Sequence, residues 1–216
     1  YHKKNVGVIV MSNFIQSIFI KRRNEKKRKR LVNKDFTIIS SNCIAGVIYH
    51  DLGLQFNSPT INLWFEPKDY LIFLENLETF LESDDLIEYK DNRYSYPVGI
   101  LDGKVKLYFQ HYKSFKEAKH KWENRKKRVN TQNIYVIMTD RDKATLKEMK
   151  AFDRLKYRNK IILTGKEYEG ITNQYCIQNC KEHGHLGDVF SKSRILGKKK
   201  LDEFDYVSFL NNELND

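Results

Sequence analysis

The sequence has few of the residues that mark several protein classes. Three prolines and ten glycines among 216 residues exclude collagen-like and low-complexity architectures. Three cysteines, an odd number, argue against a disulfide-stapled secreted fold and favour a reducing, cytoplasmic compartment. No apolar run reaches the ~18–20 residues of a membrane span. Neither a G-x-G-x-x-G nor a Walker motif is present, so no standard phosphate-binding loop is predicted.

Apolar and aromatic residues, in contrast, are plentiful. Hydrophobic residues make up 40% of the chain, which contains thirteen Tyr and thirteen Phe. This is enough to build a hydrophobic core, and it excludes wholesale disorder. At roughly 100–200 residues per domain, the length predicts one domain.

The positive charge is concentrated at one end of the chain. Residues 1–34 contain eleven Lys or Arg and one acid, Glu25, whereas the other 182 residues contain 28 bases and 27 acids. The net charge of +11 is therefore a property of one terminal segment and not of the body. A nearly neutral body disfavours nucleic acid as a partner.

The basic segment is predicted to form an amphipathic helix, because no Gly or Pro interrupts residues 12–32. The apolar residues at helical spacing are Phe14, Ile15, Ile18 and Phe19. Three interpretations stay open: a solvated helix face, attachment of residues 14–30 to an anionic membrane surface, or nucleic-acid binding. We therefore divide the chain into a basic amphipathic helical extension at 1–34 and a single α/β domain at 35–216.

Beyond this segment, strand-like apolar runs alternate with segments of helical period. Strands are predicted at 36–40, 61–65, 133–138 and 160–163, and helices at 44–51, 67–83, 114–129, 143–156 and 202–210. Asp102-Gly103 is a hairpin signal that pairs residues 98–101 with 105–108 antiparallel. The alternation predicts an α/β fold, with three α/β/α layers around a mixed, mostly parallel, Rossmann-like sheet.

Polar residues follow several predicted strands, at the edge where open parallel sheets bind ligands. These residues are Ser41, Asn42 and Cys43 in one loop, His111 and Lys113 in a second, and Asp140, Arg141 and Asp142 in a third. Because loops and helix N-termini converge at this edge, we expect the three groups to lie close together.

The Asp140-Arg141-Asp142 segment is the sharpest motif. Two carboxylates in a D-x-D after a hydrophobic strand can hold Mg²⁺ or Mn²⁺ on a diphosphate, as nucleotide-sugar glycosyltransferases do. The alternative is structural: Asp142 would cap a helix that begins at Lys143, and Asp140 would pair with a neighbouring base.

Cys43 is a candidate nucleophile, because a thiolate is stabilised at the N-terminus of a helix. His111 or His50 would serve as its base. In the alternative, Cys43 fills a tight corner between strand and helix while Ser41 and Asn42 hydrogen-bond the backbone.

Five blocks within residues 35–190 carry a family resemblance. They are FTIISSNCIAGVIYHDLGLQFNSPTINLWFEPKDYLIFLENL, YPVGIL, HYKSFKEAKHKWENRKKRVN, NIYVIMTDRD and KIILTG. The blocks resemble those of domain of unknown function 1919, a bacterial family often labelled "exopolysaccharide biosynthesis protein". The resemblance implies a cytoplasmic or membrane-peripheral protein near cell-surface polysaccharide assembly, and it carries no catalytic role. Ile44-Ala45-Gly46 departs from the bulky residue and Gly-Gly that the family commonly has here.

Two functions of different classes follow. The first is a nucleotide-sugar-dependent glycosyl- or group-transferase of polysaccharide synthesis. Its assigned residues are Asp140 and Asp142 for Mg²⁺ or Mn²⁺, Arg141 and Lys113 for phosphate charge, Ser41 and Asn42 for substrate, and His111 and Cys43 for catalysis. The second is a non-catalytic accessory module that binds a saccharide or phosphorylated ligand and docks to membrane-bound machinery through the basic helix.

Overall fold

The computed structural model describes residues 2–182, 184–193 and 196–213, and for residues 2–13 it describes only the backbone. The helices are α1 (His2–Arg30), α2 (Ile44–Leu52), α3 (Pro67–Glu75), α4 (Leu77–Glu82), α5 (Phe115–Lys126), α6 (Leu146–Asp153) and α7 (Tyr206–Leu210). The strands are β1 (Thr37–Ser40), β2 (Leu86–Glu88), β3 (Val98–Leu101), β4 (Val105–Tyr108), β5 (Ile134–Thr139), β6 (Asn159–Thr164), β7 (Gln174–Cys176), β8 (Lys181–Glu182) and β9 (His185–Leu186).

Four parallel strands in the order β1-β5-β6-β7 form the central sheet. Successive residues of β5 point to opposite faces, so that Tyr135 and Ile137 join one core while Val136 and Met138 join the other. Because both faces of the sheet are buried, the inner strands are almost continuously apolar. The predicted α/β class with a mostly parallel sheet is confirmed.

Helices cover both faces of this sheet. On one face lie α2 and α7, together with Leu31 directly after α1. On the other lie α3, α4, α5 and α6, whose core includes the buried side chains of Phe73 and Trp122. The arrangement agrees with the three layers that the strand–helix alternation predicts.

The predicted hairpin forms, but in a sheet of its own. β2, β3 and β4 make a separate antiparallel sheet in that order. The turn residues Asp102 and Gly103 have φ of 50° and 64°, the left-handed values of a type I′ turn, and the amide of Lys104 donates to the carbonyl of Leu101 at 3.0 Å. The antiparallel component of the fold is therefore segregated from the parallel sheet.

The segment at 61–65 joins the two sheets. It was predicted as a strand, but its ladder pairing is a single bridge between Trp64 and Tyr108. The amide of Phe65 donates to the carbonyl of Ser41 at 3.0 Å, just beyond the end of β1. The small sheet is thereby fixed beside the carboxyl end of β1, which is the edge where ligands are expected.

The helix starts show which residues act as caps. Pro67 opens α3 in its first turn, and Ser114 caps α5 by accepting a hydrogen bond from the amide of Glu117. α6 begins at Leu146 and not at residue 143, because Thr145 forms a capping box with Glu148. The three residues before it are left to shape a loop.

Charged groups hold α1 against the body. Arg23 and Lys27 pair with Asp202, and Lys199 pairs with Asp51 at 2.5 Å. The two acidic side chains are each 2% exposed. We refer to these five residues as the α1 ion-pair cluster. Within the described residues, no helix has both the length and the apolar composition needed to cross a membrane.

Candidate functional site

A cavity of about 410 Å³ opens at the carboxyl ends of β1 and β5. The predicted site residues that line it are Asn42, Cys43, His111, Arg141 and Asp142. They come from three loops that are far apart in the chain, and they meet because β1 and β5 are parallel neighbours. The predicted convergence at this edge is therefore present for these five residues.

Asn42 connects the loops after β1 and β5. Its side-chain amide donates to the hydroxyl of Thr139 at 3.0 Å and to the carboxylate of Asp142 at 3.4 Å. Its side-chain oxygen accepts from the amide of Ile44 at 3.3 Å, at the start of α2. Asn42 is 8% exposed, so it positions Asp142 more than it offers itself to a ligand.

Asp142 does not cap a helix, which corrects the structural alternative. It and Lys143 both have left-handed backbones, with φ of 57° and 69°. Such strain in residues other than glycine is typical of functional sites. Burial raises the pKa of Asp142, against the opposing effects of the Arg141 charge and the Asn42 hydrogen bond. The loop thus presents a carboxylate that holds a proton at a higher pH than an exposed aspartate does.

Asp140 is turned away from the cavity into the structure. One carboxylate oxygen accepts from the amide of Gly165 at 3.0 Å and from the hydroxyl of Tyr168 at 3.1 Å. The other accepts from the amide of Leu186 at 2.7 Å. Gly165 must be glycine here, because a Cβ would lie 2.3 Å from the backbone of His185. Asp140 therefore ties three loops together.

This geometry does not fit the predicted metal site. Asp140 is 4% exposed and both of its oxygens are engaged by the protein, which leaves Asp142 as the one carboxylate of the pair that lines the cavity. Among the residues that the structure describes, no group of three or more His, Cys, Asp or Glu is arranged to hold an ion. The pairing of Asp140 with Asp142 around Mg²⁺ or Mn²⁺ is therefore not supported.

Cys43 does not have the environment of an activated nucleophile. Burial, aided by the nearby charge of Asp142, raises the pKa of its thiol to about 11, and Arg141 offsets this only in part. Its thiol lies 3.8 Å from the carbonyl of Leu63. Burial thus acts against the thiolate that the sequence predicts at this position.

Ser41 and Lys113 do not line the cavity. Ser41 is 6% exposed and its hydroxyl has no hydrogen-bond partner among the described residues. Lys113 is exposed, and its amide donates to the carboxylate of Glu117. The predicted roles of both residues in substrate binding have no support from their positions.

The other wall of the cavity is aromatic and was not predicted. Trp64 and Tyr96 line it, and the indole N–H of Trp64 donates to the hydroxyl of Tyr96 at 3.2 Å. Trp64 also stacks on Tyr108, with ring centroids 4.0 Å apart and planes 13° apart. In INLWF, period-two alternation places Trp64 on the side opposite Leu63 and Phe65, and that signal was available in the sequence.

A second cavity of about 590 Å³ adjoins the first. The two share Cys43, His111 and Phe190 in their linings. The second is bordered by Ile20 of α1 and by Phe56, so it is the more apolar space. A ligand that fills both cavities would pass His111.

Comparison with known proteins places the chain in a family. Residues 14–211 match the model described as Domain of unknown function (DUF1919). A protein of Haemophilus influenzae, described as uncharacterized, is 39% identical over 196 residues, which make up 91% of this chain and 92% of the relative. The matched region includes every residue that lines the first cavity.

Proposed function

The chain belongs to the DUF1919 family, and from this premise we propose that it transfers a glycosyl or related group from a nucleotide sugar to a saccharide acceptor in cell-surface polysaccharide assembly. The observation that carries the proposal is the meeting, in one cavity, of an aromatic wall with a half-buried carboxylate and a guanidinium. Each of these three elements matches one part of such a substrate.

The aromatic wall suits a sugar ring or a nucleobase. Both present flat faces that pack well on an indole or phenol ring. The stack on Tyr108 and the hydrogen bond to Tyr96 hold the Trp64 ring in one orientation, so little order has to be created when a ligand binds. Concave sites with aromatic walls and a few placed polar groups are typical of small-molecule binding.

Arg141 suits the phosphate groups of the donor. It lines the cavity, and in the part of the chain that the structure describes no carboxylate lies within 4.0 Å of its guanidinium. A guanidinium binds phosphate oxygens through two parallel hydrogen bonds. It would also stabilise the negative charge that develops on the leaving diphosphate.

Asp142 suits the role of general base. In the transfer, the acceptor hydroxyl oxygen forms a bond to the anomeric carbon while the bond from that carbon to the diphosphate oxygen breaks. The hydroxyl proton passes to the Asp142 carboxylate, and the nucleoside diphosphate leaves beside Arg141. The raised pKa of Asp142 favours this proton transfer, because it makes the carboxylate a stronger base.

The test compares four proteins with UDP-, GDP- and ADP-sugars, by calorimetry for binding and by release of the nucleoside diphosphate for turnover in the presence of simple saccharide acceptors. Asp142→Asn is expected to bind donor like the wild type and to lose about 10²–10⁴-fold in kcat. Trp64→Ala is expected mainly to weaken donor binding. Lys113→Ala is the matched control and is expected to change neither quantity.

Absence of binding to every donor, or equal turnover by Asp142→Asn and the wild type, would refute the proposal. Donor binding that depends on Trp64, with no turnover by the wild type, would instead establish the accessory module. That second function is favoured by two observations: burial raises the pKa of the Cys43 thiol, and Asp140 is buried. The two measurements therefore separate an enzyme from a binding protein.

A further inference from the structure

The outer face of α1 carries exposed apolar residues near Phe14, where the description of its side chains begins. Phe14 is 65% exposed, Ile15 43%, Ile18 37% and Phe19 39%. Because Ile18 follows Phe14 by four residues and Ile15 by three, and Phe19 follows Ile15 by four, they form one continuous stripe on the helix. Large apolar groups collected on one helix face mark a site of interaction with a partner or a membrane.

The basic residues of α1 divide into two sets by direction. Arg23, Lys27 and Arg30 turn toward the body and pair with Asp202 or Asp205. The second set is exposed and consists of Lys21, Arg22, Lys26 and Lys29. Arg28 belongs to neither set, because it is exposed but its guanidinium lies beside Gly53 of the body. Within the described residues, no carboxylate lies within 4.0 Å of the amino or guanidinium groups of this second set.

The exposed bases continue the apolar stripe along the same side of the helix. From Phe14 to Lys29 the helix rises by about 22 Å at 1.5 Å per residue. Residues 15, 18, 22, 26 and 29 follow each other at helical spacing, so apolar groups give way to bases along one line. Glu25 is exposed on the same side and offsets one of the four bases. A flat surface in contact with this line would therefore meet apolar groups at one end and a net positive charge at the other.

We propose that this outer face of α1 docks on an anionic lipid bilayer, with the aromatic and aliphatic side chains below the headgroups and the bases among the phosphates. A bilayer supplies both an apolar interior and negative charge to one flat face. A second copy of this chain would bring the same bases, with Glu25 as the one acid of the segment to meet them. Charge complementarity therefore selects the membrane.

Docking would also bring the cavities close to lipid. Ile20, the residue after Phe19, borders the second cavity. A helix with its side chains is about 10–12 Å across, so this cavity would lie roughly one helix width from the bilayer surface. This docking stands apart from the chemistry of the cavities, because it depends on residues that line neither of them.

The test is co-sedimentation of the full chain with vesicles of phosphatidylcholine alone and of phosphatidylcholine with 30% phosphatidylglycerol. Binding is expected only to the anionic vesicles and is expected to weaken with salt. Each base near an anionic surface contributes roughly fivefold in partitioning, so Lys26→Gln with Lys29→Gln is expected to reduce it by about 25-fold. Phe14→Ser with Phe19→Ser is expected to reduce it on the same vesicles.

The matched control replaces Lys116 and Lys121, two exposed bases of α5, by glutamine. It removes the same charge from another face and is expected to leave binding unchanged. Circular dichroism establishes that each variant is folded. Equal binding to neutral vesicles, or an equal loss in the α5 control, would overturn the proposal. So would a dimer in sedimentation of the protein alone that the Phe14 and Phe19 changes dissociate, since a second copy would then cover this face.

Discussion

Replacement of Asp202 by alanine tests whether the α1 ion-pair cluster holds the helix in place. The carboxylate accepts charge-assisted contacts from Arg23 and Lys27 of α1, and it also accepts from the backbone amide of Lys199 at 2.9 Å. The Lys27 side chain is 14% exposed, so removal of the acid would leave a largely buried ammonium without its main counter-charge. Burial already lowers the pKa of Lys27 in the intact protein.

The loss expected is about 3–5 kcal/mol, which is the usual effect of removing one partner of a buried ion pair. For a chain of this size, that corresponds to a decrease of about 6–20 °C in Tm. The lower end is expected, because Lys27 also donates to the hydroxyl of Tyr206 at 2.8 Å. Differential scanning calorimetry at pH 7 measures the shift directly.

The pH dependence adds a second signature. In the Asp202→Ala protein, burial without the counter-charge lowers the pKa of Lys27 further below its unfolded value. The unfolded state then binds more protons, so stability rises with pH and the deficit shrinks toward pH ~10. Asp84→Ala is the control, because Asp84 is an exposed partner of Lys126, and its Tm is expected to be unchanged. A Tm for Asp202→Ala that matches this control would refute the buried ion-pair account.

Two further predictions concern the first cavity. Alkylation of Cys43 by iodoacetamide, followed by mass spectrometry of its peptide, is expected to be slow at pH 7 and to accelerate toward pH 11, because burial raises the pKa of the thiol to about 11; rapid alkylation at neutral pH would contradict this. Asp142→Asn is expected to raise Tm at pH 7 and to lose this advantage below about pH 4, because a carboxyl whose folded pKa is raised loses stability as the pH rises through that pKa. A lower Tm for this variant at pH 7 would show that the Asn42 hydrogen bond outweighs the effect of burial.

The meeting of Asn42 with Asp142 could be predicted from the sequence. Each follows an apolar strand, and the carboxyl ends of parallel strands lie at one edge of a sheet. The strand–helix alternation was enough to predict the parallel sheet and its two helical layers, because burial on both faces leaves a direct trace in apolar runs. His111 reaches the site because it follows β4 of the small antiparallel sheet. The Asp102-Gly103 pair predicts the hairpin of that sheet.

The separate roles of Asp140 and Asp142 could not be predicted. The partners of Asp140 are Gly165, Tyr168 and Leu186, which lie 25 to 46 residues further along the chain. A D-x-D spacing on an irregular loop does not define which carboxylate turns inward. The direction is set by backbone angles, which local sequence patterns do not specify for residues other than glycine.

The raised pKa of the Cys43 thiol could not be predicted from sequence patterns either. The sequence correctly predicts that Cys43 directly precedes α2, and a helix N-terminus does favour a thiolate. The outcome depends on how far the surrounding loops bury the thiol, and those loops include the one that carries Asp142. Desolvation is a property of the assembled structure, so its balance against the helix dipole appears only in three dimensions.

The ionic contacts of α1 also determine how the molecule would be oriented toward its surroundings. An apolar contact between a helix and the body would allow the helix to rotate about its axis. Arg23 and Lys27, in contrast, reach Asp202 in one rotational position only, because a shift of one residue rotates the side chains by about 100°. The apolar stripe is thus locked outward in a single pose. A surface that binds this face would therefore always have the openings of the cavities at the same angle to it.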